Sequence, residues 1–330
     1  MLSLPKKVLF FLTTNTDPYK NIAFEYRLLK ACPSDTIAVF LWQNDHSIII
    51  GQNQNVMTEV NVKEFLADGG KIVRRMTGGG AVYHDLKNLN FSFVAPKRFY
   101  DLTKNFEVIK LALKDFDIDA DVSGRNDLLV DGKKISGNAF KKEKENNLHH
   151  GTLLIDTDVQ KMQKYLNVSR DKLASKGVKS VSSRVLNLIS VRPTLTIDAL
   201  IKSIKNALPK VFGVPVLDGQ PHDLLWDGES ETEQKLRSAE WTYGKVVDDD
   251  YITFKHRFSW GGVEVSFKTT QVDGKKIVKD LILFSDSLNT DIATFAMTNF
   301  VGKDANQLSQ TDFDNIEFND TAKFLAEVMA

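Results

Sequence analysis

The stretch RRMTGGGAVYHD, from Arg74 to Asp85, constrains this chain more than any other. Glycine loses more backbone freedom on ordering than any other residue, so three in a row need a structural reason. One reason is a tight turn. The other is that the main chain must come very close to a ligand. Two arginines just upstream make an anion the natural ligand, since backbone N–H groups bared by glycine can line one. The stretch is not a Walker A loop, because no Gly-Lys-Ser/Thr follows, and it is not the GxGxxG dinucleotide fingerprint. KIVRR reads as a strand that delivers the glycines. Strand side chains alternate, so one of Arg74 and Arg75 is expected to enter a site. The plainer reading leaves both solvated.

The rest of the chain reads as a soluble globular protein. Its 330 residues suit one large domain and a smaller one, and 42% hydrophobic with 26% charged residues is ordinary for that class. Lys+Arg and Asp+Glu are equal at 43 each, so no global field recruits nucleic acid or an anionic membrane. The single cysteine, Cys32, excludes an internal disulfide framework and a CxxC site, and implies a reducing, cytoplasmic setting. KKVLFFLT is too short for a signal sequence, and no run approaches the ~18–20 apolar residues of a membrane span.

Strands are expected at VLFFLT, TIAVFLW, HSIIIG, KIVRR and LNFSFVA. Asp17-Pro18 opens a helix through YKNIAFEYRLLKA, and VKEFLADGG ends a short one at Gly69-Gly70. Phe106, Ile109, Leu113 and Phe116 have helical spacing. NDLLVDGKKISGNAF reads as a hairpin turning at Asp131-Gly132, with KKEKENN as a charged loop and LHHGTLLID as a strand. Helices are expected near 158–166, 196–208 and 230–240. GKVVDDD, residues 244–250, is the linker candidate, and antiparallel strands and helices follow it. The fold class is α+β, with domains at 1–245 and 246–330.

A second constellation lies in SGRNDLLVDGKKISGNAF, from Ser123 to Phe140. Asn126 and Asp127 can position a divalent cation or a ribose. Strand alternation selects one of Lys133 and Lys134 for a site, and places Lys134 and Ser136 on one face. Ser136-Gly137 then lets backbone approach a ligand. The plainer reading is a surface hairpin whose lysines protect a sheet edge. His149 and His150 lack the spacing of a zinc motif. Cys32, before Pro33, reads as a small buried hydrophobe.

Together these stretches resemble the lipoate–protein ligases of the two-domain bacterial type. RRMTGGGAVYHDLKNLNFSF is similar to that family's RR-x-x-GGG-A-V-[FY]-H-D signature, and GRNDLLVDGKKISGNAF to its G-R-N-D-L … K-[IV]-S-G-[SN]-A segment. HHGTLL, KGVKSVSSRV and HRFSWGGVEVSF … SDSLN follow in family order. The resemblance implies a large mixed-sheet catalytic domain of the biotin/lipoate ligase type and a small α+β accessory domain. It implies that ATP and lipoate give lipoyl-AMP and pyrophosphate, and that an acceptor lysine then takes the lipoyl group. Arg75, Gly80, Ala81, Val82 and Tyr83 match the nucleotide-contacting positions. Lys134 matches the catalytic lysine that touches both lipoate and nucleotide. Gly78, Gly79, Ser136, Gly137 and His150 are expected around lipoate, and Asn126 and Asp127 near Mg²⁺. The implied partners are apo lipoyl domains of 2-oxoacid dehydrogenase complexes and the glycine cleavage H protein. The alternatives are an octanoyl or lipoyl amidotransferase working through a cysteine thioester, and a non-catalytic lipoate-binding protein. A biotin–protein ligase would carry a GRGRxGR-like loop, which is absent.

Overall fold

The apolar runs of the first half assemble into one broad sheet. The structure is a computed structural model, and it describes residues 4–124, 126–167, 184–225, 228–244, 247–305 and 312–329. Strand β1 (Lys7–Leu12) leads to helix α1 (Pro18–Ala31). Asp17 caps that helix by accepting the Tyr19 N–H at 2.9 Å, and Pro18 occupies its first turn. Next come β2 (Thr36–Trp42), β3 (Ser47–Ile50), α2 (Val56–Glu59), α3 (Val62–Ala67), β4 (Lys71–Arg74), β5 (Val82–His84), β6 (Asn88–Pro96) and α4 (Leu102–Lys114). β7 (Asp121–Ser123), β8 (Asp127–Val130), β9 (Lys133–Lys142) and β10 (Asn146–Leu154) form antiparallel neighbours. α5 (Val159–Tyr165), α6 (Ile197–Phe212), β11 (Val216–Asp218), α7 (Glu229–Arg237) and α8 (Ala239–Tyr243) complete this part.

The large sheet has the order β11-β1-β2-β6-β10-β9-β8-β7. β11, β1 and β2 run parallel and the other pairs antiparallel, so the sheet is mixed as expected. A second sheet has the order β4-β3-β5. Strand alternation gives the large sheet two different faces. Leu89, Phe91 and Phe93 of β6 join Val39 and Leu41 of β2 in the main core, against Ile109 and Leu113 of α4 and Leu200 and Ile204 of α6. The opposite face carries Phe40, Trp42, Ser92 and His150. There Phe24 of α1 meets the rings of Phe11 and Phe40 edge-on, at 5.5 and 4.9 Å between centroids.

Several expectations change in detail. KKEKENN is mostly strand: Lys141 and Lys142 of β9 pair with Leu148 and Asn147 of β10, leaving only 143–145 as the loop. The helix expected at 230–240 is two helices, α7 and α8, broken at Ser238. β11 was not legible; three residues beside a parallel partner carry too short a pattern. The hairpin turn stands, with Asp131 and Gly132 both at positive φ, 51° and 72°. No helix among the described residues is long and apolar enough to cross a membrane.

Contacts divide the chain into two compact units that do not follow the linear boundary at 245/246. The first holds residues 1–49, 60–73 and 82–238, and the second 50–59, 74–81 and 239–330. In the second, β12 (Ile252–Phe258), β13 (Gly261–Val272) and β14 (Lys275–Ser285) form an antiparallel sheet. Val265, Phe267 and Leu281 of that sheet pack with Ala296 of α9 (Ile292–Phe300) and Leu325 of α10 (Ile316–Met329). The small α+β unit therefore exists, and the glycine loop belongs to it. Lys245 and Val246 of the linker candidate lie outside the described residues.

Gly151 on β10 has no room for a side chain. A Cβ there would stand 2.3 Å from Asn138 Oδ1 and 2.4 Å from the Phe91 ring. Gly151→Ala is expected to cost about 1–3 kcal/mol by overpacking, read as a lower urea midpoint with an unchanged slope. The exposed Lys133→Ala should stay within about 0.5 kcal/mol of the parent.

Candidate active site

In the second unit the triple glycine is explained by packing within the chain. A Cβ on Gly78 would lie 2.4 Å from the Ser287 carbonyl oxygen and 2.7 Å from that of Leu288. Gly79 has φ +88° and donates its N–H to Ser287 O at 2.8 Å. Gly78 and Gly79 are buried, whereas Gly80, Ala81 and Val82 are half-buried. The accessible backbone is therefore the run that starts at Gly80.

Neither arginine is solvated. Arg74 is 4% exposed and binds no carboxylate among the described partners. Its guanidinium donates to the carbonyls of Gly51, Gln52, Gln54, Trp241 and Thr242, at 2.6 to 3.1 Å. Burial lowers its pKa to about 10, so it stays charged at neutral pH. Arg75 turns back on the loop it precedes. Its Nη2 donates to Gly78 O at 2.6 Å and Gly80 O at 2.9 Å, and its Nε to Thr77 Oγ1 at 2.8 Å. Arg75 thus shapes the carbonyls of the glycine run.

The first unit holds the second constellation. β8 and β9 pair with a register shift: Leu129 faces Lys134 and Leu128 faces Ser136, so Ile135 is an inserted residue. A β-bulge of this kind re-aims side chains. Simple alternation would put Lys134 beside Ser136. Instead Lys134 reaches over Gly137, where its Nζ lies 2.7 Å from the position of an added Cβ. Ser136 is buried and accepts from Asn138 Nδ2 at 3.2 Å. Lys133 is exposed. The Lys134 ammonium contacts Asp127 Oδ1 at 2.6 Å, and Arg184 contacts Asp127 Oδ2 at 2.9 Å. Two cations thus flank one carboxylate, with side chains 14 to 21% exposed. These three side chains keep a net positive charge, which suits an arriving anion.

Asn126 and Asp127 were expected near a divalent cation. Asp127 is committed to Lys134 and Arg184, and Asn126 Nδ2 donates to Asn138 O at 2.6 Å. Among the described residues no cluster of three or more His, Cys, Asp or Glu could hold a metal. This donor set does not fit a protein-caged Mg²⁺.

The two histidines have separate fates. His149 is fully buried among Phe91, Phe93, Phe106 and Phe140, and burial holds its pKa well below the ordinary value, so the ring is neutral. Its Nε2 meets Asn138 Oδ1 at 2.9 Å. His150 faces the other way, and its Nδ1 meets Glu25 Oε1 at 2.8 Å. Ser92 donates to the same oxygen at 2.5 Å and accepts from Trp42 Nε1 at 3.0 Å. Glu25, Ser92, Trp42 and Arg184 were missed from sequence. A Glu in the apolar stripe of α1 and a Ser on an apolar strand were the available signals. The ring of Tyr83 is buried with His46, Phe65 and Tyr165. Cys32 is 7% exposed, and burial pushes its thiol up to about 12. The KGVKSVSSRV segment lies outside the described residues except Arg184 and Val185.

Residues 17–209 match the model of the lipoyl protein ligase A/B catalytic domain. The chain is 35% identical to a lipoate-protein ligase A of Psychrobacter cryohalolentis, over 84% of this chain and 83% of that one. It is 33% identical to a lipoate-protein ligase A of Blochmanniella floridana, over 87% and 86% of the two chains. The crystal structure of P. falciparum LipL1 in complex with lipoate is similar at a TM-score of 0.81 and 29% identity, covering 96% of this chain and 98% of that one. With the catalytic-domain match spanning more than half its length, the chain belongs to the lipoate–protein ligase A family.

Proposed function

We propose that the chain is an ATP-dependent lipoate–protein ligase whose central charged group is Lys134. It activates lipoate to lipoyl-AMP with release of pyrophosphate. It then passes the lipoyl group to a lysine of an apo acceptor. One observation carries the assignment of Lys134: its ammonium is held by Asp127 at 2.6 Å over a residue with no side chain.

The first step brings a carboxylate oxygen to the α-phosphorus, an approach of like charges. A fixed ammonium at that point offsets the repulsion and stabilises the charge that builds on the phosphate. In the second step the acceptor amine attacks the acyl carbon, and AMP leaves with the oxygen that joined it to the acyl group. Lys134 stabilises that leaving charge without forming a covalent bond. The backbone of Gly80, Ala81, Val82 and Tyr83 is assigned to the nucleotide, with Arg75 setting its shape. Gly137 and His150 are assigned to the lipoate side. Mg²⁺ is assigned to the triphosphate itself, since this ion keeps waters and phosphate oxygens in preference to an all-protein cage. The acceptors proposed are apo lipoyl domains and the glycine cleavage H protein. A panel of apo proteins, each weighed for one added lipoyl group, separates them.

The thioester alternative needs an ionisable, accessible cysteine. The buried thiol of Cys32 fits it poorly. Cys32→Ser should therefore keep ligation near the parent rate. An acyl group trapped on Cys32 would reinstate the thioester route.

Exchange of labelled pyrophosphate into ATP should depend on lipoate. Lys134→Ala should lower that exchange by about 10²–10³ with the fold retained, and Lys133→Ala should leave it nearly unchanged. Equal effects from the two lysines would remove Lys134 from the reaction. Gly137→Ala should lower exchange with little change in melting temperature, because the new methyl displaces only the flexible end of Lys134. An unaltered rate there would show that the place of the ammonium does not matter.

A further inference from the structure

The face of the large sheet that carries His150 also carries two buried amides with open hydrogen-bonding capacity. Asn88 and Asn90 alternate with the core residues Leu89 and Phe91, so they point away from the main core. They are 0% and 1% exposed. Asn88 Nδ2 donates to Asn90 Oδ1 at 2.8 Å. Asn88 Oδ1 and Asn90 Nδ2 have no hydrogen-bond partner among the described residues. Exchanging the nitrogen and oxygen assignments does not remove the problem, since a pair closed by one bond still leaves one donor group and one acceptor over. A buried polar group left this way is costly unless something pairs with it.

The position of Asn90 says what that partner is. Across the strands Trp42 pairs with Asn90, and Asn90 with Thr152. Thr152 Oγ1 accepts the Gly137 N–H at 3.2 Å, and the Lys134 ammonium lies over Gly137. One row therefore runs from Lys134 through Thr152 and Asn90 to Trp42. Asn90 stands about two strand spacings, or roughly 10 Å, from the glycine beneath Lys134. An acid whose carboxylate meets Lys134 and whose chain follows this row brings its far end to Asn90. In the neighbouring row Ser92 donates to Glu25 and accepts from Trp42 Nε1, and His150 meets the same Glu25 oxygen.

We infer that Asn90 is a specificity-determining residue, whose amide donates to a polar atom at the far part of the acyl chain. This rests on the lipoate reading, in which that atom is a dithiolane sulfur, a weak acceptor. A plain alkanoate of equal length leaves the buried donor unpaired and is discriminated against. A site with a buried polar group rejects an analogue lacking the matching group, whereas an apolar slot discriminates weakly.

The test is pyrophosphate exchange with lipoate and with octanoate, giving kcat/KM for each. The parent should prefer lipoate. Asn90→Leu should narrow that preference about tenfold, with octanoate unchanged or improved. Asn90→Thr, which keeps a donor and suits a strand, should retain most of the preference and guards against a folding defect. Equal loss with both acids, or an unchanged ratio in Asn90→Leu, overturns the inference while leaving the activation reading intact. Absence of exchange with either acid in the parent overturns the reading and the inference with it.

Discussion

In the proposed reaction, one carboxylate between two cations fixes the place of the central charge. Asp127 touches Lys134 at 2.6 Å and Arg184 at 2.9 Å, so it fixes the place of an ammonium that would otherwise sweep a wide volume on a four-carbon stem. The pair is partly desolvated, which strengthens its field on anything that binds nearby. Arg184 gives Asp127 a second partner. When an anion draws the ammonium of Lys134 toward itself, the carboxylate still has its guanidinium. The bulge at Ile135 and the bare Cα of Gly137 set where the ammonium lies.

The second unit solves a different problem by similar means. Arg74 is buried with five backbone carbonyls as its acceptors, and it ties residues 51–54 to residues 241–242. Removing it would strand several buried carbonyls at once, which is why such a group persists despite the cost of desolvation. Arg75 does the same for the glycine run on a smaller scale. The run is thus a built backbone surface whose first two glycines meet the backbone of Ser287 and Leu288. Half-buried backbone begins only at Gly80.

Much of this was legible in the sequence for physical reasons. Asp17-Pro18 and the 3.6 spacing of Phe106, Ile109 and Leu113 specify helices locally, and Asp131-Gly132 specifies its turn by positive φ. Strand alternation selected one of Lys133 and Lys134, and the family resemblance picked out Lys134. The sharing of a face by Lys134 and Ser136 did not survive, because a bulge inserts one residue without any mark in composition. The packing role of Gly78 was not legible, since residues 287–288 stand some two hundred positions away. The burial of Arg74 was hidden because its acceptors are main-chain carbonyls, which every residue carries. Glu25 and Asn90 look like ordinary polar interruptions of apolar elements until the register places them in line with His150 and Thr152.

The central claim is that the lipoate carboxylate attacks the α-phosphorus of ATP and that the acyl group then leaves AMP for an acceptor lysine. Lipoate labelled with ¹⁸O in both carboxylate oxygens tests this in a single turnover with ATP and an apo lipoyl domain. The account predicts one labelled oxygen in AMP, one in the new amide carbonyl and none in pyrophosphate. Unlabelled AMP alongside a lipoylated acceptor, or label in pyrophosphate, would contradict it.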